Sequence, residues 1–162
     1  MEGYVVILRK MLAEEYSQYL PRLMEGYAQD LSRNLDLPID AARERSKKQT
    51  SDLLNQGVDT PGHLIYTVCL ENSLESVGVL WVFVDDAKKE AFIYDIEIKE
   101  AFRGKGLGRA ALLAIEDPLR VRGIEKLGLH VFGDNPIAIH LYESLGYKVF
   151  SMNMRKRLTA EQ

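Results

Sequence analysis

The chain has 162 residues, 46% of them apolar and 28% charged, the size and makeup of one soluble globular domain with one core. Twenty-one Lys and Arg against 24 Asp and Glu give a net charge of -3, so no broad basic field exists to hold a nucleic-acid backbone. The single cysteine, Cys69, has no partner in the chain, and His63, His130 and His140 are scattered. These counts exclude a disulfide framework and any familiar zinc spacing, and no metal is expected.

Residues 4–9 read as a β-branched strand. Their apolar run is broken by Arg9 and Lys10, too soon for a signal sequence or a membrane span, so a cytoplasmic chain with no membrane partner is the expectation. From Ala13 to about Asn34 the spacing of Tyr16, Tyr19, Leu20, Leu23, Met24 and Tyr27 predicts one helical face, with Pro21 kinking or restarting it. A second helix is predicted from a cap at Asp40 to about Gln56, ended by Gly57. Residues 63–70, 77–84 and 91–98 then form an antiparallel meander of three strands joined by polar turns. Its middle strand is apolar on both faces, which requires helical layers on both sides of the sheet. After a glycine-rich turn at 103–108 come a helix with an apolar stripe of Leu107, Ala111, Ala114 and Ile115, bent or ended early by Pro118, then a strand at 126–132. A helix at 136–144 and a final strand at about 147–158 complete a mixed α/β pattern of one domain over 1–162.

The turn at Arg103, Gly104, Lys105, Gly106, Leu107, Gly108 and Arg109 follows a strand and opens a helix, so main-chain N–H groups and the positive helix end converge on one point, a place for an anion. A dinucleotide fingerprint would need glycine where Arg109 stands, and a mononucleotide loop would need glycine at Lys99 and Ser or Thr at Gly106. Neither fits. An Arg followed three and five residues later by Gly remains, with a glycine turn used only for packing as the plain alternative. A second constellation begins 32 residues after Arg103: Asn135, Pro136, Ala138, Tyr142 and then Gly146-Tyr147. Asn135 before Pro136 is a well-formed helix cap, which by itself explains both residues. Tyr142, seven residues on, shares a helix face with Asn135, and an ordinary core tyrosine would look the same.

Together the two constellations resemble the GNAT superfamily of N-acetyltransferases. Its hallmarks are an Arg/Gln-x-x-Gly-x-Gly/Ala loop and a downstream Asn-x-x-Ala-x-x-x-Tyr helix that ends before Gly-Phe or Gly-Tyr, and the match runs from Phe92 to Tyr147. The resemblance implies an α+β domain whose central mixed, mostly antiparallel sheet has six or seven strands, helices on both faces and a splay between the fourth and fifth strands. It implies acetyl-CoA as cosubstrate, its pyrophosphate on the N–H groups of Gly104 through Arg109 and Arg103 organising the loop. The pantetheine arm would lie along Ile96, Glu97 and Ile98 opposite the strand Gly128 to Phe132, with a main-chain N–H near Ile98 polarising the thioester. Asn135 matches the position that binds pantetheine or orients the site, and Tyr142 matches the frequent general acid that protonates the departing thiolate.

For the base the candidates are His130, Glu97 and Asp95. His130 stands near the position of a catalytic glutamate in the ribosomal-protein N-acetyltransferase branch, and imidazole titrates in the required range. It is ranked first. Asp95 and Glu97 share a strand face where periodicity favours apolar residues, and are suited to attract a cationic amine or relay its proton, or are simply polar surface. The expected activity is acetyl transfer to a primary amine by direct attack in a ternary complex. A non-catalytic CoA-binding or interaction domain of the same fold is the alternative. Residues 13–57 would choose the acceptor, no nucleic-acid partner is expected despite Arg155-Lys156-Arg157, and a homodimer through the final strand or a sheet edge is common in similar folds.

Overall fold

The computed structural model describes residues 3–160, so the outermost residues of the expected 1–162 domain, 1–2 and 161–162, lie outside it. The described chain runs β1 (Val6–Lys10), α1 (Ala13–Leu35), α2 (Ile39–Leu53), β2 (His63–Leu70), β3 (Ser76–Asp85), β4 (Glu90–Ile98), α3 (Leu107–Ala114), α4 (Glu116–Val121), β5 (Lys126–Leu129) and α5 (Pro136–Ser144). The strands form one sheet in chain order, antiparallel except for the parallel pair β4 and β5.

The doubly apolar middle strand behaves as its pattern requires. Leu80, Val82 and Val84 of β3 pack toward Leu107, Ala111 and Leu112 of α3 and Ile115 at its end, while Val79 and Trp81 pack toward Tyr19 of α1 and Leu54. Helices α1 and α2 therefore cover one face. α3, α4 and the inner side of α5 cover the other.

Several expectations are corrected. The helix α1 passes through Pro21 without a break; a proline there costs one donor to the preceding turn, and the buried contacts of Tyr19, Ala28 and Leu31 on both sides hold the helix together. Asp40 lies inside the first turn of α2, and the cap position belongs to Pro38. The helix after the glycine turn does end early, as expected: it divides at Ile115, which puts Pro118 in the opening turn of α4, where a missing N–H breaks no hydrogen bond. Among the described residues the sheet has five strands, not six or seven. Residues 147–158, expected as the last strand, join no sheet.

Two irregularities shape β4. Its register against β3 shifts at Tyr94: Trp81 faces Asp95, but Val82 faces Ile93. The extra residue is a bulge that moves the apolar phase from Ala91 and Ile93 to Ile96 and Ile98, and turns Asp95 and Glu97 toward α1. On its other side β4 pairs with β5 only from Glu90 to Ile93, the last pair being Ile93 with Leu129, while β4 continues to Ile98. The sheet thus splays between its fourth and fifth strands.

Candidate active site

The glycine turn closes the open end of the splay. Arg103 Nε donates to the carbonyl of Ile98 at 2.8 Å, tying the loop to the tip of β4. Gly104 and Gly106 have φ of +76° and +78°, and a Cβ at either would meet nothing within 4 Å. These glycines are therefore needed for their left-handed backbone, and the space beside them stays open to a ligand. Among the described residues the N–H groups of Gly104 through Arg109 find no acceptor within the protein. They form an anion cradle at the start of α3. The surrounding cleft is lined by Ile98, Phe102, Leu107 and Leu141 as well as the loop. Lys105 lies 5.6 Å above the Phe102 ring, and Arg109 Nη1 reaches Ser144 Oγ at 3.2 Å, linking α3 to α5.

On α5, Asn135 Oδ1 accepts from the N–H of Ala138 at 3.1 Å. Its oxygen serves as the helix cap, which leaves its Nδ2 as the group free to meet a ligand. Tyr142 is half-buried, its ring edge-on to Tyr147 at 5.8 Å, and its hydroxyl has no partner among the described residues. Burial, with the charge of Asp95 behind it, pushes the Tyr142 phenol above its usual value. It stays protonated at neutral pH.

Asp95 occupies the floor of the α1 side of the splay. Tyr19, fully buried, donates its hydroxyl to Asp95 Oδ2 at 2.6 Å. Burial raises the Asp95 carboxyl to about 6; the Tyr19 hydrogen bond opposes that rise and the charge of Glu97 adds to it. The same burial, with Asp95 beside it, holds the Tyr19 phenol well above its usual range, so Tyr19 remains a donor. Glu97 is paired with Arg22 of α1 at 3.2 Å, and Arg22 also lies over the Tyr19 ring. His130, just past the end of β5, is exposed and edge-on to Phe132 at 4.8 Å.

The structure thus brings the loop, Ile98 and Leu141 around one cleft, sets Asp95 and Glu97 against Tyr19 and Arg22 of α1, and leaves His130 exposed. His63 accepts from Trp81 Nε1 at 2.9 Å, with burial lowering its basicity, and Cys69 is buried; both are structural. Tyr19 and Arg22 escaped the sequence reading, which counted Tyr19 as part of an apolar stripe. A buried tyrosine needs an acceptor, and an aspartate out of phase on a buried strand needs a donor; that double mismatch was the available signal. Among the described residues no group of three or more His, Cys, Asp or Glu is placed to hold a metal, and no helix is long and apolar enough to cross a membrane.

Residues 20–147 match the family model of the acetyltransferase (GNAT) family. The chain is 38% identical to the uncharacterized N-acetyltransferase YycN of Bacillus subtilis, over 94% of this chain and 99% of that one. The crystal structure of YycN superposes with a TM-score of 0.90, at 35% identity, covering 96% of this chain and all of the other. A second Bacillus subtilis relative, the uncharacterized N-acetyltransferase YdgE, is 33% identical over 93% of this chain and 97% of its own length. The PaiA N-acetyltransferase of Thermoplasma acidophilum, solved in complex with coenzyme A, shares the fold at 18% identity and a TM-score of 0.66, over 91% of this chain and 92% of that one.

Proposed function

The chain belongs to the GNAT family of acetyltransferases, and from that premise we propose that it transfers an acetyl group from acetyl-CoA to a primary amine by direct attack in a ternary complex. The observation that carries this reading is the cradle of unpartnered N–H groups at Gly104 to Arg109, set at the end of a splay whose floor holds Asp95. Acetyl-CoA supplies the activated acyl group. The loop N–H groups hold its pyrophosphate, and the lone edge of β4 from Tyr94 to Ile98 offers main-chain partners to the arm that carries the thioester.

Acyl transfer needs a neutral amine and a protonated or stabilised thiolate. Tyr142 gives its hydroxyl proton to the leaving sulfur. Asp95 takes the amine's proton, directly or through one water, on the oxygen that Tyr19 leaves free; a carboxyl raised to about 6 is ionised at neutral pH yet basic enough to accept it. Its burial and its partner Tyr19 favour it over His130, which is exposed. Glu97 is already neutralised by Arg22, so its part is at most to draw the ammonium form toward the floor. Asn135 Nδ2 orients the arm.

A thermal-shift titration with CoA and acetyl-CoA, followed by free-thiol release with a panel of α-amines, ε-amines and polyamines, tests the proposal. Stabilisation by both ligands and amine-dependent thiol release are expected. Binding without thiol release from any amine would leave a CoA-binding domain and refute the catalytic reading.

A further inference from the structure

The bulge in β4 does more than turn Asp95 toward α1. Trp81 of β3 faces Asp95 in register, and the ring of Tyr94, the extra residue, stacks on the same Trp81 at 4.7 Å. A bulge sets two residues of one strand against a single residue of its neighbour, so an aromatic ring and a carboxylate adjacent in sequence stand here on one face of the sheet. From Tyr94 a row of rings continues. Phe92 lies edge-on to it at 4.8 Å, and Phe83, the cross-strand partner of Phe92, lies 4.8 Å from His63, which is itself 6.0 Å from Tyr94.

The helices do not cover this row. Trp81 packs with Tyr19 and Leu54, but Phe83 and Phe92 join none of the buried clusters, and Tyr94 is 38% exposed. On β5 the residue opposite Phe92 is Gly128, which brings no side chain over the ring. Tyr94 is also the first residue of β4 beyond its last pair with β5, Ile93 with Leu129, so it stands where the two strands part. Cross-strand aromatic pairing stabilises a sheet, and that accounts for Phe83 against Phe92. It does not account for a tyrosine inserted at the parting of the strands, exposed beside a buried carboxylate.

The row carries no charge at neutral pH. Burial raises the Tyr94 phenol and lowers the basicity of His63, whose Nδ1 accepts from Trp81 Nε1 at 2.9 Å. Of the carboxylates at its inner end, Glu97 is paired with Arg22, which leaves Asp95 to meet one ammonium. Adjacent residues have Cα atoms about 3.8 Å apart, so a ligand matched to this face has one cationic end and, a few bonds away, a flat uncharged body. A planar ring gains from offset or edge-on contact with Tyr94, and the ammonium gains from the π face as well.

We propose that Tyr94, with Phe92 and Phe83 behind it, is the shelf that selects the acyl acceptor, and that the acceptor is a primary amine carrying an aromatic ring a few bonds from its nitrogen. This rests on the acetyl-transfer reading above, with Asp95 as the group that meets the amine.

Free-thiol release with phenethylamine, n-butylamine and cadaverine at saturating acetyl-CoA measures the preference. kcat/KM for phenethylamine should exceed that for both aliphatic amines by about tenfold or more, the effect of one added ring contact with its buried area. A short peptide that begins with phenylalanine separates the two sources of such an amine, a free arylalkylamine or a chain N-terminus, and the preference in either form supports the proposal. Tyr94→Phe should keep it. Tyr94→Leu should erase it through KM, with the CoA thermal shift intact in both variants. Trp81, the chain's one tryptophan, gives a readout without turnover: in the wild-type CoA complex its emission should respond saturably to phenethylamine and not to n-butylamine. An emission response with no thiol release from any amine would keep the shelf and refute the catalytic reading alone. Thiol release with equal kcat/KM for aromatic and aliphatic amines overturns the shelf and leaves the catalytic reading standing, as does a Tyr94→Leu variant that retains the aromatic preference. Silence in both assays overturns both.

Discussion

Replacing Asp95 with Asn separates stability from activity. The carboxyl titrates at about 6 in the folded chain against 3.8 for the ordinary group, so the folded state binds the proton more tightly and is penalised as that proton is lost. The penalty is absent below about pH 4, grows as pH rises through 6 and is complete above it. A shift of about two units corresponds to about 3 kcal/mol at pH 8 and roughly half of that at pH 5. Asparagine keeps the shape and the oxygen that accepts from Tyr19 but never ionises, so the variant recovers this energy. Denaturant unfolding at pH 8 should show Asp95→Asn more stable than wild type by up to about 3 kcal/mol, a rise in Tm of roughly 6 to 12 °C, with the gain halved at pH 5. Activity should move the other way. kcat/KM should fall by about 10²- to 10⁴-fold and lose its rising limb near pH 6. Equal or lower stability of the variant at pH 8 would refute the burial argument, and a retained limb would remove Asp95 as the base.

Tyr142→Phe keeps the ring against Tyr147 and should leave the CoA thermal shift intact, while kcat drops by roughly 10²-fold or more in the thiol-release assay. Gly106→Val strains a backbone held at φ +78° and intrudes on the cradle; isothermal titration should show CoA binding lost, with far-UV circular dichroism unchanged. Gly78→Ala places a Cβ against the Glu97 carbonyl oxygen in the neighbouring strand, so a loss of about 1–3 kcal/mol in denaturant unfolding is expected, together with weaker acetyl transfer as the tip of β4 shifts.

The parts legible in the sequence are those set by local chemistry. The loop needs glycines at fixed places, the cap of α5 needs Asn135 before Pro136, and the doubly apolar β3 demands two helical layers; each appears where its residues predicted it. The bulge was written in the residues 91–98 too, since the apolar phase slips from Ala91 and Ile93 to Ile96 and Ile98 at Tyr94. Read as a uniform strand, Asp95 and Glu97 stand on a face expected to be apolar, either as groups for the amine or as polar surface; read as a bulge, the slip aims them at α1. The mismatch of a buried tyrosine and an out-of-phase aspartate signals that each needs a partner, but not that they meet, because they stand 76 residues apart and periodicity carries no information about which helix will lie over which strand. The last segment has the pattern of a strand and joins no sheet among the described residues, because a strand needs a neighbour and not only local propensity.

Asp95 and Tyr142 are better understood as a coupled pair than as separate groups. While Asp95 is ionised its charge adds to burial in raising the Tyr142 phenol, so the base is empty and the acid full at the same pH. If Asp95 takes the amine's proton as proposed, that charge is gone and the phenol becomes more acidic, just when the thiolate needs a proton. On the proposed mechanism this electrostatic coupling orders the two transfers, with Tyr19 holding Asp95 in place and remaining protonated. Asp95→Asn imitates the state after the first transfer. In a tyrosine absorbance titration of that variant, with Tyr142→Phe as the blank that assigns the signal, the Tyr142 ionisation should move down toward, yet stay above, the usual phenol value, because burial remains. An unmoved titration would mean that the two groups do not communicate, and that the acid step proceeds without reference to the base.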